Sequence, residues 1–464
     1  MFSDNVVISV SRALRAAVAS TVVVLPVFWS MGQLGAWWSP PLDAVVFAVM
    51  LAVGLPRAVA SLGAREFPAA AAALLAGAAA AVGCEMLLDG ASWQKAAGAA
   101  LFAIGVAVPV WLRRLGPAWR AGGTVAVIPF LAVLVHPLPD QASWAFLGWM
   151  LLAAGIACLW AAAIHLLAAP SPAPAQPAAP ARPASSRRVA ASTRMAVQLA
   201  LAVSAAFAFG QWTDPGHLVW PVLTVLVVHS GNRGRGDALR KGVERTAGAL
   251  AGTAIATCLT GLLPPGDSLA IVAVFAILAL AAGLREVSYA YRAACTTAAL
   301  AFFYGYFGQT GAGLLAHRLL GVLAGAAIGV AAAWLVLPVR TTDITRLRVG
   351  ALLTAATALA TSAAAGAPDS AALSQLTAAD RELAMLIPTL HGARRFGIGA
   401  ARQLDHTVTH ARELASEVTV LATRQFSIDI ERSSADAKLA DLTQQITRAR
   451  RAIRKQSAGA PAPS

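Results

Sequence analysis

Charge is what this chain has least of. Only 12% of its 464 residues are Asp, Glu, Lys or Arg, where a soluble domain carries about a quarter. That shortage excludes an ordinary water-solvated surface, and a hydrophobic content of 58% says what stands in its place. Cysteine is scarce too. Cys84, Cys158, Cys258 and Cys295 are far apart and lie in or at the edge of apolar runs, which excludes a disulfide framework or cysteine metal site and leaves packing roles. Paired carboxylates, a Walker-type phosphate loop and an activated nucleophile are missing from any suitable setting. Those absences argue against an enzyme, against ATP hydrolysis by that route, and against a bound cofactor or metal. No cleavable leader stands out either. Arg12 and Arg15 precede the first apolar stretch, but no small-residue cleavage motif follows before Trp37-Trp38, so a retained first helix is expected.

What the chain does have is a succession of long apolar runs, such as Ala69–Leu88 and Leu314–Leu337. About 20 apolar residues cross a bilayer as a helix. The spacing predicts twelve spans, near 12–31, 42–56, 68–88, 95–112, 119–136 and 144–166, then 195–210, 217–230, 244–263, 268–284, 293–307 and 314–338. Their alanine and glycine content favours helices packed on one another. The fold class expected is all-α: a polytopic membrane protein in two parallel six-helix repeats, with a C-terminal cytoplasmic helical domain. The domains are a first membrane half (1–167), a Pro/Ala-rich linker (168–193), a second half (194–340), a helical domain (341–456) and a disordered tail (457–464).

The net charge of +14 would suggest nucleic acid in a soluble protein. Here the basic residues fall between apolar spans and read as topology, so no nucleic-acid partner is expected. With the N-terminus inside, one set of connections collects Arg57, Arg113, Arg114, Arg188, Arg292 and Arg340 among others, while the opposite loops hold little beyond Lys95. That bias puts both termini in the cytoplasm. A shift of 182 residues carries Arg12 onto Arg194, Trp38 onto Trp220 and Gly54 onto Gly236, which suggests duplication. Leu42–Leu55 and Leu218–Val228 read as short second helices in each half. Paired short segments at matching positions point to a transporter's binding region, or to an ordinary helix in a thinned bilayer.

The most specific stretch runs from Gly216 to Ala256. It holds Trp220-Pro221 with Thr224 shortly after, a turn from Ser230 to Arg235 rich in Gly and Arg, and Arg245, Gly248 and Gly252 as Arg-x-x-Gly-x-x-x-Gly. Later, Arg318 is followed by Gly321, Gly325 and Gly329, and the run closes at Pro338. These features resemble the fusaric acid resistance protein family, which includes bacterial aromatic acid exporters. The resemblance is good over about 195–340 and weak over 12–166. It implies an inner-membrane efflux protein for small organic acids, often aromatic, driven by the proton gradient, with a periplasmic adaptor protein as partner in some relatives. The plant malate-transporting anion channels look like distant cousins, so a passive anion channel is the second reading. A non-transporting scaffold is the third.

Candidate pathway residues follow from chemistry. Arg318 lies four residues into an apolar run, beside His317, where an ionisable group normally faces a cavity or a partner. A guanidinium can hold a carboxylate through two hydrogen bonds. A snorkelling residue or an ion pair with Glu85 would explain Arg318 equally. Arg233, Arg235, Arg240, Lys241 and Arg245 would gather anions at an inner mouth, or bind lipid headgroups. Glycines 231, 234 and 236 would free backbone N–H groups for an anion. Glu85, His217 and His229 are the proton-coupling candidates, with His317 beside them. Trp220, Thr224, Tyr304 and Tyr306 suit an aromatic route or an ordinary aromatic belt. Gly248, Gly252, Gly321, Gly325 and Gly329 recur every fourth residue and read as helix-packing faces.

Past Pro338 the composition is that of soluble helices, expected at Thr342–Ala365, Ser370–His391, Arg394–Arg424 and Ala435–Lys455. Leu439, Leu442, Ile446 and Ile453 form a stripe that wants a partner helix, within the domain or across a homodimer. His391, His406 and His410 lack a zinc-protease pattern and read as a solvated face.

Overall fold

The structure, a computed structural model, describes residues 22–59, 62–63, 66–88, 90–135, 144–168, 189–231, 234–259, 264–284, 288–306, 312–365, 370–395, 399–425, 440–449 and 451. The linker core, the tail, Arg12, Arg233, Leu439 and Ile453 lie outside these residues, as does the side chain of Tyr304. All described regular elements are helices. They are α1 (Val22–Trp38), α2 (Leu42–Val59), α3 (Phe67–Leu88), α4 (Ser92–Leu112), α5 (Pro117–Val135) and α6 (Trp144–Ala168), followed by α7 (Ala191–Thr213), α8 (Val219–His229), α9 (Arg235–Leu259), α10 (Ser268–Leu284), α11 (Tyr289–Tyr306) and α12 (Ala312–Leu335). Beyond them come α13 (Thr341–Ala364), α14 (Ser370–Ala384), α15 (Ile387–Arg395), α16 (Gly399–Gln425) and α17 (440–449).

Six helices among the described residues are long and apolar enough to cross a membrane: α3, α4 with its 3-10 extension to Leu115, α6, α7, α12 and α13. The last, α13, falls in the stretch expected to belong to the C-terminal helical domain. Its long alanine-rich stretch supplies an apolar run of sufficient length, although Arg346 and Arg348 lie near the start of α13. The apolar part of the second helix is short in both halves, over Leu42–Pro56 and Val219–His229. α8 has 11 residues, and at 1.5 Å each that is about 16 Å against about 30 Å of hydrocarbon. α2 runs through Pro56 to Val59, 18 residues in all.

The chain divides into two compact units. The first holds the described helices up to Pro338, apart from the Arg233–Arg240 segment, and its main apolar core is built from α1 to α8 with Ala332 of α12. In it α2 packs on α6 and α8 on α12, the second and sixth helices of each half. Phe102 of α4 meets both Phe130 of α5 and Phe207 of α7 edge-on, with centroids 5.3 Å apart in each pair. Large apolar groups also point outward, among them Leu25, Phe28, Leu159, Leu335 and the helix-end residues Trp37 and Trp212. Such a surface suits lipid.

Sequence punctuation explains the helix ends that shape the site. α7 stops at Asp214, where Pro215-Gly216 cannot continue it, and the Asp214 N–H closes on Gly210 O at 2.8 Å. Pro221 falls in the first turn of α8, where its missing N–H removes no helix bond. α12 ends at Leu335, and just beyond it Leu337 takes φ 44°, with Pro338 next. Its last carbonyls are satisfied from α7: Gln198 Nε2 donates to Val336 O at 2.7 Å and to Leu337 O at 3.2 Å, and Arg194 donates to Pro338 O at 3.1 Å.

The second unit gathers residues from Val339 onward with Arg233–Arg240. α13 packs between α14 and α16 around Leu352, Leu353, Leu359, Leu383 and Val418. Arg412 donates twice to Asp380, at 2.6 and 3.0 Å, and the pair holds Arg412 above the ordinary guanidinium range. Leu442 and Ile446, from the expected stripe, bury into this same core. The single helix expected over Ser370–His391 breaks at Met385-Leu386, because Pro388 supplies no N–H and disfavours helix before it.

Candidate functional site

α8 and α12 meet along a seam closed by glycine. A Cβ at Gly321 would stand 2.7 Å from Trp220 Cβ, one at Gly325 would strike Pro221 O, and one at Gly329 would meet Val228 Cγ1 at 3.2 Å. Gly248 and Gly252 set α9 just as tightly on α11, against Ala293 Cβ and Thr297 Cβ at 2.6 Å each. Small residues let backbones approach and leave polar side chains between them no route out to lipid.

A file of polar groups follows that seam. At one end, where α7 stops and α12 begins, Asp214 Oδ2 faces His217 Nδ1 at 2.9 Å and also the Nδ1 of His317. The two imidazoles lie 5.3 Å apart, centroid to centroid. They hold the Asp214 carboxyl below the usual carboxylate range, His217 first. One residue further, Arg318 is 3% exposed. Its guanidinium reaches Thr297 Oγ1 of α11 at 3.1 Å and lies 4.6 Å over the Trp220 ring. Arg318 shares a helix face with Gly321, Gly325 and Gly329, because offsets of three, seven and eleven return to one side. That is why it is buried. Next comes Thr224, fully buried, whose hydroxyl has no hydrogen-bond partner among the described residues. His229 follows, with Nε2 3.1 Å from Gly329 O. The file ends where Lys241 Nζ donates to Ser230 O at the C-cap of α8, at 2.5 Å.

The seam thus joins Trp220, Thr224, His217, His229, His317 and Arg318, taken separately in the sequence. It adds Asp214 and Thr297, which sequence reasoning passed over. An Asp-x-x-His spacing at a span's edge was the available signal for Asp214; Thr297 had none. Other candidates fall elsewhere. Glu85 lies on α3, whose packing partners are α4, α5 and α6. Arg245 is buried in α9, and its Nε has no hydrogen-bond partner among the described residues. The cationic inner cluster is more committed than expected. Arg240 is paired with Asp237 at 3.3 Å, and Asp237, fully buried, also accepts from Thr389 at 3.2 Å. The glycine anion cradle is largely taken up as well: Gly236 N–H donates to Thr341 Oγ1 and Arg235 N–H to Val339 O. Helix-start N–H groups already satisfied are poor anion ligands.

Residues 201–332 match the family model described as fusaric acid resistance protein-like. The match runs from α7 into α12 and contains the whole α8–α12 seam. No curated protein and no solved structure matches the chain. Family match and apolar helices together are consistent with a multi-pass membrane transporter.

Proposed function

We propose that this protein exports small organic acids, aromatic carboxylates above all, across a bacterial inner membrane at the expense of the proton gradient. The observation that carries the reading is Arg318: a guanidinium buried in an apolar helix, seated on the Trp220 indole and beside a threonine hydroxyl. A cation in that setting is costly and is retained where it has work to do. Guanidinium, indole and hydroxyl together match the carboxylate, ring and ring substituents of an aromatic acid.

In this reading twelve helices span the bilayer in two duplicated halves, both termini are cytoplasmic, and residues 341–456 form a helical domain inside. The recurrence of second-with-sixth helix pairing in both halves supports the duplication. Asp214, His217 and His317 then face the outside, and Lys241 the inside. A periplasmic adaptor and a second copy of the chain are the partners it accommodates.

The test is accumulation of a labelled aromatic carboxylate against its gradient in proteoliposomes, with and without a protonophore. Wild type should accumulate substrate and lose it to the protonophore, while Arg318→Ala should fall at least about tenfold, a change of about 1.4 kcal/mol. Arg318→Lys should recover part of that, since lysine keeps the charge without the fork. Selective current without accumulation would make the protein an anion channel. No flux above empty liposomes would leave a membrane scaffold.

A further inference from the structure

Within the seam, the cluster at the start of α12 sets two imidazoles around one carboxylate, a donor set that also suits a metal ion. We propose that Asp214, His217 and His317 form a binding site for a late first-row divalent metal ion of the zinc and copper kind. Their ligand atoms, one carboxylate oxygen and two imidazole nitrogens, all lie within 4.8 Å of one another. Ligand atoms around a tetrahedral ion with bonds of about 2.0–2.1 Å stand roughly 3.3 Å apart. The Asp214–His217 separation of 2.9 Å needs only a small opening to reach that.

The donor set selects the metal class. Two imidazoles and one carboxylate suit zinc, copper or nickel, whereas magnesium and calcium prefer oxygen throughout. Electrostatics point the same way. Asp214 is the only carboxylate in the cluster, with an imidazole of His217 and of His317 on either hand. It also caps the C-terminal end of α7, where unpaired carbonyls carry partial negative charge. Arg318, next in sequence, opposes a cation, but its guanidinium is turned to Thr297 and Trp220. Access is open: the side chains of His217, Asp214 and His317 are 33%, 24% and 52% exposed. Three protein ligands and a solvent-facing fourth position make an exchangeable site rather than a closed structural one.

The three ligands come from α7's end, the following 3-10 turn and α12, so an ion would fasten α12 to α7 one residue from Arg318. On the exporter reading, on which this consequence rests, bound metal slows the movement of α12 and lowers transport. Binding itself does not depend on that reading.

The experiment uses the full chain in lipid nanodiscs, with any purification tag removed. Zinc titration should show saturable binding that falls at least about tenfold for each of Asp214→Asn, His217→Ala and His317→Ala, in the range that site changes bring. Magnesium should not compete. Bound copper should show nitrogen coupling from two imidazoles in wild type and from one in His317→Ala. His317→Cys should retain zinc, which separates loss of a ligand from loss of fold. His410→Ala, on the exposed helices of the second unit, should bind as wild type does. Zinc uptake unchanged by the three substitutions, or abolished by His410→Ala alone, would overturn the proposal. Zinc inhibiting transport in wild type but not in His317→Ala would support the clamp. Zinc bound to a protein that never transports would leave the site standing and remove the exporter reading.

Discussion

His229 of α8 reaches across to α12, its Nε2 3.1 Å from the carbonyl oxygen of Gly329. The contact exists because Gly329 has no side chain: a Cβ there would already crowd Val228. Removing the imidazole leaves a buried carbonyl with one partner fewer and a hole beside it. His229→Ala should therefore cost about 1–3 kcal/mol, read as earlier thermal unfolding in nanodiscs. His229→Gln keeps a donor and should recover most of it. If His229 also carries protons, the Gln variant will fold normally yet fail to accumulate substrate, which a purely structural histidine would not do.

Gly325 sets the closest approach of the α8–α12 pair. A Cβ there would collide with Pro221 O and stand 2.9 Å from Thr224 Cβ, so backbone has to move. Gly325→Ala should destabilise by about 1–3 kcal/mol, as overpacking does. Gly313→Ala, on the same helix with open space around it, should be neutral or mildly stabilising. Equal melting points for the two variants would mean that the seam is looser than described.

Gln198 is 1% exposed and spends its amide on the last carbonyls of α12. A leucine there would fit an apolar helix better by composition and still be worse. Gln198→Leu should lower stability by about 1–3 kcal/mol through carbonyls left without a donor. Limited proteolysis at the Leu337-Pro338 turn is the local readout, and unchanged cleavage would show that the cap contributes little.

Much of this was legible in the chain. Apolar runs and their Gly, Pro and Arg punctuation located the helices, because helix ends depend on local chemistry: Pro215-Gly216 ends α7, and Pro338 follows the end of α12. The packing face of α12 was legible too, since Arg318 keeps register with Gly321 and Gly325. What could not be read was pairing across distance. Asp214 and His317 lie 103 residues apart, and nothing in either neighbourhood names the other. Composition reads α13 two ways: its alanine-rich stretch is long and apolar enough for a membrane span, while α14 and α16 pack against it. Propensity cannot tell burial by protein from burial by lipid.

Thr224 offers the sharpest separation of stability from function. Its hydroxyl is fully buried and has no hydrogen-bond partner among the described residues, whereas Thr257, Thr345 and Thr357 bond the carbonyl four residues back. A buried hydroxyl without a partner costs about 1–3 kcal/mol. Valine has nearly the same shape and no such cost, so Thr224→Val should be neutral or raise stability by about 1 kcal/mol. A residue held at a loss is expected where a ligand supplies the missing partner. The same variant should then transport hydroxylated aromatic acids less well than their unsubstituted counterparts, measured as a ratio of uptake rates in proteoliposomes. Thr224→Ser, which keeps the hydroxyl, should restore that ratio. If Thr224→Val instead melts early and leaves the ratio untouched, the hydroxyl serves the fold, and the aromatic route has to be sought away from the α8–α12 seam.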